Sequence, residues 1–387
     1  MELNFLPEAK ALDHQDGYLS PRKLQPLIEY PPRPFAALEI ELTTRCNLYC
    51  PSCPRVALRG SWLNQDMSLD NFEQAAEAFD HFETIHFRGW GEPLLNPHFP
   101  EMVLRAYQSG AGLVLTTNGQ QTLDPGLAQY FQTVFFRLDC GQASVYERRN
   151  PGAKFNRTIL NISGLLHGRD SIQAGQPRVV ILFAKNRHTL SQLPAFLETA
   201  VRLRPDRVVF YHPLFHVRRV DDLARLPGDA DPGLIAQVDE RLATLAASAG
   251  LDMINQSPPL TNGVASICPF DPDRSLYLGW NGQVGICRHS ALPLAHGFFT
   301  RYLDRRSEIQ HTALFGNLQR KPLKTIVRSK TFREYRQACL IGDWLRIKAG
   351  HGPAGNDQVK ARGRGKVITL AQSVTRSGVC SWKRPAG

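Results

Sequence analysis

The sequence predicts an α/β protein: a parallel sheet, open or curled into a partial barrel, with a smaller second region behind it. Three observations predict this. Short apolar or β-branched runs alternate with longer amphipathic stretches six times between residues 38 and 212, the order that gives parallel strands joined by helical crossovers. The pattern then loosens from His212 to Pro259. It resumes as short extended runs, SLYLGW and QVGIC, followed by one helical stretch.

In chain order, residues 1–35 form a Pro-rich lead-in (YPPRPF at 30–35). Strands are expected at 38–42, 84–88, 112–116, 133–138, 178–183 and 207–211. Helices are expected at 68–82, 100–109, 125–131, 157–166 and 190–203. Ser68 suits an N-cap, and Phe72, Ala75, Ala76 and Phe79 repeat at helical spacing. A connector at 213–259 holds one helix, 232–249, and a second region covers 260–346 with a helix near 323–338. A basic tail fills 347–387.

Composition narrows the function. No run of 18 apolar residues spans a bilayer, and the N-terminus MELNFLPEAK lacks a basic and then apolar leader. A cytoplasmic chain with no membrane partner is expected. The net charge of +11 is concentrated in the tail, where eight Lys or Arg oppose one acid, Asp357. That distribution reads as a solvated end and argues against a nucleic-acid surface. Eight cysteines without a leader point to thiol or metal chemistry.

Cys46, Cys50 and Cys53 fall on one loop directly after the first strand, at the end of the sheet where α/β proteins place their sites. Structural zinc takes four ligands, and so does a fully ligated iron–sulfur cluster. Three thiolates on a 4Fe–4S cluster leave one iron open to a small molecule. Zinc would need a further partner such as His81 or His86, at no standard spacing.

The Cys-x3-Cys-x2-Cys loop, with Tyr49 before the second cysteine, resembles the signature of the radical S-adenosylmethionine superfamily. Gly89-Trp90-Gly91-Glu92-Pro93 is similar to that family's Gly-Gly-Glu-Pro element, with Trp90 in place of the first glycine. Thr116-Thr117-Asn118-Gly119 resembles its Thr-Asn-Gly turn, and Leu138-Asp139-Cys140-Gly141 its Ser-x-Asp-Gly, with Arg137 where serine is usual. Asn186 matches a polar position after the fifth strand. The resemblance covers 36–212 and implies a partial (β/α)6, TIM-like barrel. It implies a 4Fe–4S cluster on Cys46, Cys50 and Cys53, and S-adenosylmethionine bound by Gly91, Glu92, Asn118, Asp139 and Asn186, with Tyr49 against the adenine. No catalytic side chain is assigned. The implied activity is reductive cleavage of S-adenosylmethionine to a 5′-deoxyadenosyl radical, fed by a flavodoxin- or ferredoxin-type electron donor.

Cys268 and Cys287, with Gly282 five positions before the latter, resemble the opening of the auxiliary-cluster domain called SPASM, or Twitch in its short form. A second iron–sulfur cluster is then implied, but the closing Cys-x2-Cys pair is absent. Either His351, Cys339 or Cys380 completes the site, or the scaffold has lost its cluster. The implied substrate is a peptide, or a small molecule such as a cofactor precursor. Two other readings stand beside this one: an RNA-modifying enzyme of the same superfamily, and a non-catalytic iron–sulfur or zinc protein on the same fold.

Overall fold

The computed structural model describes residues 35–173, 175–213, 215–226, 232–256, 274–303 and 306–333. All six expected strands are present: β1 (Phe35–Ile40), β2 (Phe82–Phe87), β3 (Gly112–Thr117), β4 (Phe131–Arg137), β5 (Arg178–Ala184) and β6 (Arg207–Tyr211). A seventh, β7 (Met253–Asn255), follows the helix Pro232–Ala249, so the stretch expected as a connector continues the sheet. Each strand from β1 to β7 pairs in parallel with the next. Sequential order leaves no point at which the winding reverses. Right-handed crossovers therefore put every helix on one face and leave the other as the inner wall of the curl.

Alternation decides what each face carries. In β1 and just beyond it, Leu38, Ile40 and Leu42 are buried in the main apolar core, while Glu39 and Glu41 fall on the opposite face. On β2, Ile85 and Phe87 join that core, leaving His86 and Arg88 to the inner wall. Val134 and Phe136 do the same on β4 and leave Phe135 and Arg137. The helix side is rich in aromatic rings: Phe87 lies 6.1 Å from both Phe99 and Phe131, edge to face, and Phe183 lies 4.6 Å from Phe196. Helix Leu69–Ala76 is capped as expected, Ser68 Oγ accepting from the Asn71 N–H at 3.2 Å. It stops at Ala76, and a 3-10 turn at Phe79–His81 returns Phe79 to the core.

The second region extends the same sheet. β8 (Ser275–Leu278) lies parallel to β1 on its free side. β9 (Gln283–Gly285) and β12 (Leu314–Asn317) follow antiparallel, giving the order β12-β9-β8-β1-β2-β3-β4-β5-β6-β7. β10 (Phe298–Leu303) and β11 (Arg306–His311) form a separate antiparallel pair. That pair meets the barrel through the bridge His216 to Tyr302 and through Phe299, which clusters with Trp62, Val217, Leu292 and Leu294. The helix expected at 323–338 is interrupted: Leu323–Val327 is helical, the chain turns at Arg328 and Ser329, and helical residues resume at Lys330. The lead-in, the basic tail, Cys268, Cys339, His351 and Cys380 lie outside the described residues. No helix among those described is long and apolar enough to cross a membrane.

Candidate active site

The cysteine loop is launched from a clamped segment. Beyond β1 the chain runs beside residues 62–67. Met67 N–H donates to Leu42 O at 2.8 Å, Thr44 N–H to Gln65 O at 2.9 Å, and the Trp62 indole to Thr44 O at 3.1 Å. Thr43 Oγ1 donates to Asp66 Oδ1 at 2.6 Å. On the far side, Cys53 begins the short helix Pro54–Ala57, its carbonyl accepting from the Val56 and Ala57 N–H groups at 3.0 Å. The Tyr49 N–H donates to Pro151 O at 2.8 Å, and the Cys50 thiol donates to Asn150 Oδ1 at 3.2 Å.

Burial pushes all three thiols up, Cys46 to about 11 and Cys50 to about 12, with Cys53 moved in the same direction. The three sulfurs also repel one another. Such thiols stay protonated until something replaces the proton, which is what a metal centre does. Donors already face Cys46: the Leu48 N–H at 3.4 Å and Asn118 Nδ2 at 3.7 Å. Neither histidine considered for zinc joins the loop. His81 pairs with Asp80, and His86 Nε2 hydrogen-bonds Thr116 Oγ1 at 2.8 Å. Among the described residues, no three His, Cys, Asp or Glu side chains converge enough to hold a single ion. The donor set of three thiols with amide and N–H support fits an iron–sulfur cluster better than zinc.

Glu92 stands beside this loop. Its N–H donates to Arg45 O at 2.8 Å, and this close approach depends on Gly91: a Cβ there would lie 2.2 Å from Thr43 O and 2.5 Å from Arg45 O. The Glu92 carboxylate is buried. It accepts from Thr117 Oγ1 and the Asn118 N–H at 2.8 Å each, and from the Leu94 N–H at 3.4 Å. Desolvation raises it to about 7. No Lys, Arg or His among the described residues pairs with it. A buried carboxylate without a cation is costly, and an amino group delivered by a ligand fits its needs.

The other expected residues divide. Asn118 joins the group, its amide donating to Asn47 Oδ1 at 2.8 Å. Asp139 follows β4 with Arg149 Nη2 3.9 Å away. Beyond it, Gly141 admits the helix Leu193–Leu203, since a Cβ would lie 2.0 Å from the Ala195 carbonyl carbon. Tyr49 is exposed, with the Arg55 guanidinium 5.2 Å over its ring. Asn186 closes a turn, its Oδ1 accepting from the His188 N–H at 2.9 Å, and no hydrogen bond ties it to the Cys46–Glu92–Asn118 group. Cys287, half-buried, opens a 3-10 turn, its thiol raised by desolvation and donating to Ser290 Oγ at 3.7 Å.

Sequence reasoning missed the inner-wall network. Arg288 Nη1 bridges both oxygens of Glu39 at 3.0 and 2.9 Å. Glu41 accepts from Tyr277 OH at 2.6 Å and the Trp90 N–H at 2.7 Å, and burial lifts it to about 7. The strand LEIEL carried the signal, for two carboxylates alternating with buried aliphatic residues must face an enclosed polar space.

Two family models match the chain. The first, "Radical SAM superfamily", covers residues 40–164 and with them the cysteine loop, Glu92, Asn118 and Asp139. Residues 40–164 form a radical S-adenosylmethionine superfamily domain. The second model, "Iron-sulfur cluster-binding domain" (SPASM), covers residues 268–347 and identifies the second region of this radical SAM protein. Among relatives, a tungsten-containing aldehyde ferredoxin oxidoreductase cofactor-modifying protein from Pyrococcus furiosus is 24% identical over 309 residues, 77% of this chain and 82% of its own length. A PqqA peptide cyclase from Xanthomonas oryzae is 30% identical over 193 residues, 48% of this chain and about half (49%) of its own. Streptococcus suis SuiB bound to precursor peptide SuiA shares the fold, with TM-score 0.56 and 15% identity over 84% of this chain and 73% of that one. The superfamily's cofactors are a 4Fe–4S cluster and S-adenosylmethionine, and the SPASM match adds an iron–sulfur cluster-binding region. The protein is an enzyme.

Proposed function

We propose that this enzyme cleaves S-adenosylmethionine reductively to act on a peptide or on a metallocofactor precursor. Cys46, Cys50 and Cys53 would hold the 4Fe–4S cluster, leaving one iron for S-adenosylmethionine. The buried, cation-free Glu92 carboxylate beside that loop carries the reading, as the acceptor for the methionine amino group. When bound, the cluster supplies the electron that splits the sulfonium into methionine and a 5′-deoxyadenosyl radical. The chain's own residues do the rest. Asn118 holds the turn that presents its N–H to Glu92 and its amide to Cys46, Asp139 offers a carboxylate to the ribose, and Gly91 lets the two loops touch. Tyr49 and Asn186 complete the proposed contacts, and a low-potential donor of flavodoxin or ferredoxin type feeds the cluster. Cys287 would be one ligand of a second cluster. The peptide or metallocofactor substrate is supported by the named activities of the cyclase and cofactor-modifying relatives.

The test is turnover. Anaerobically reconstituted protein given dithionite and S-adenosylmethionine should release 5′-deoxyadenosine, and Cys50→Ala should abolish the release. Equal product from both proteins would overturn the reading.

A further inference from the structure

Two guanidiniums on the inner wall have no partner among the described residues. Arg88 follows β2 directly and Arg137 ends β4, on the face opposite the core residues Phe87 and Phe136. By the pairings Phe87 to Leu115 and Thr117 to Phe136, Arg88 is level with Thr116 of β3 and Arg137 stands two residues further toward the cysteine loop, on the same face on the other side of β3. Neither side chain makes a hydrogen bond or ion pair with any described residue. Arg137 is exposed to the open mouth and Arg88 is partly exposed. Tyr211, which ends β6, falls on the same face as Val209 of the inner wall. Burial and repulsion from Arg288 depress Arg88 to about 10.

The surrounding carboxylates are engaged. Glu39 is held by Arg288, and Glu41 by Tyr277 and Trp90. Asp139 faces Arg149. On the same wall lies an apolar patch of Val114, Phe135 and Val180 with Leu182 and Val209 packed against it. Glu39 also acts on Arg88 and Asp139 on Arg137, but each carboxylate already has an arginine of its own, so the wall offers excess positive charge beside the cysteine loop, above an apolar floor.

We infer that Arg88 and Arg137 form a carboxylate-recognition site, and that the substrate presents a carboxylate on an aliphatic stem to it. The planar fork of arginine suits a carboxylate in two-point contact, and the Tyr211 hydroxyl is a third donor within the same space. The stem would lie over Phe135 and Val180. This rests on the proposed radical chemistry only for the word substrate. The carboxylate could also come from the methionine part of S-adenosylmethionine, and the test separates the two sources.

The probe is radiolabelled glutarate in equilibrium dialysis against the reconstituted protein, with glutaramide as its neutral counterpart. Wild type should bind glutarate saturably, and glutaramide should not displace it. Arg88→Gln and Arg137→Gln should each weaken binding about tenfold or more, the usual cost of a charged hydrogen bond. Arg88→Lys and Arg137→Lys should recover part of it. No hydrogen bond among the described residues is lost in these variants, and an unchanged melting temperature checks that each is folded. Binding that survives saturating S-adenosylmethionine supports the substrate assignment. If S-adenosylmethionine displaces glutarate and Arg137→Gln weakens both equally, the carboxylate is the cofactor's and the assignment falls. No saturable binding, or equal binding by wild type and variants, overturns the site. Release of 5′-deoxyadenosine by wild type is measured separately, so failure of the radical reading and failure of this site are told apart.

Discussion

Glu92→Gln tests the centre of the proposed site through two independent readouts. The folded protein holds this carboxyl near 7 against an ordinary 4.5, a difference of about 2.5 pH units. Between those values the folded state keeps a proton that the unfolded chain has released. Stability therefore falls as pH rises from about 4.5 to about 7, and remains lower above that. At 1.36 kcal/mol per unit the loss is about 3 kcal/mol. Glu41 contributes a similar slope because it too is raised to about 7, so the informative quantity is the difference between wild type and variant. Urea unfolding of cluster-free protein at pH 5 and pH 8 should show a drop for wild type that is about 2.5 kcal/mol larger than for Glu92→Gln, the remainder being lost already below pH 5. In reconstituted protein the same variant should bind S-adenosylmethionine about ten- to a hundredfold more weakly, because a charged acceptor has been removed. Equal pH slopes would refute the account of the buried carboxyl. Unchanged affinity would refute its role toward the amino group.

Two further substitutions probe the packing around the site. Gly91→Ala puts a methyl group 2.2 Å from Thr43 O, so the two loops must separate; a loss of about 1–3 kcal/mol is expected. Melting temperature and iron content per chain after reconstitution should both fall, and full loading at an unchanged melting temperature would show that the contact is dispensable. Arg301 is buried with Nε, Nη1 and Nη2 all lacking hydrogen-bond partners among the described residues, and burial lowers it to about 10. Arg301→Met should therefore stabilise cluster-free protein by about 1–4 kcal/mol, read as a higher urea midpoint; a lower midpoint would mean that a bound anion neutralises the guanidinium.

The sheet was legible because each core strand is a short β-branched or aromatic run bounded by turn residues. Strands buried by helices have no choice but to be apolar on that face. β7 escaped because Met253–Asn255 is only three residues long and carries no period of its own; its place comes from pairing with β6. The attachment of β8 to β1 was equally invisible, since nothing in SLYL names a partner more than 230 residues away. The cysteine loop, Glu92 and Asn118 were readable from local motifs, and the fold brings these together. The inner-wall charges were not, because Glu39, Arg88, Arg137 and Arg288 are unremarkable singly and acquire meaning only when four separate segments face one space.

The two departures from the family pattern belong to that same space. Trp90 stands where glycine is usual. Its indole donates to Arg288 O at 3.1 Å and its ring lies 5.5 Å from Phe215 and 5.4 Å from His289. Its N–H holds Glu41, which in turn holds Tyr277 of β8. The loop bearing Glu92 is thus tied to the SPASM region twice: through the Trp90 backbone N–H, which a glycine would also supply, and through the indole, which it would not. Arg137 stands where serine is usual, and it supplies charge where serine would supply a hydroxyl. A larger ring at one position and a cation at the other change the same wall of the cavity, one by fixing the second region against it and the other by setting what it attracts. Both departures fall on the inner wall, while the cysteine loop, Gly91, Glu92 and Asn118 keep the family pattern, which is the distribution expected if the proposed carboxylate site is laid over an unaltered cysteine loop.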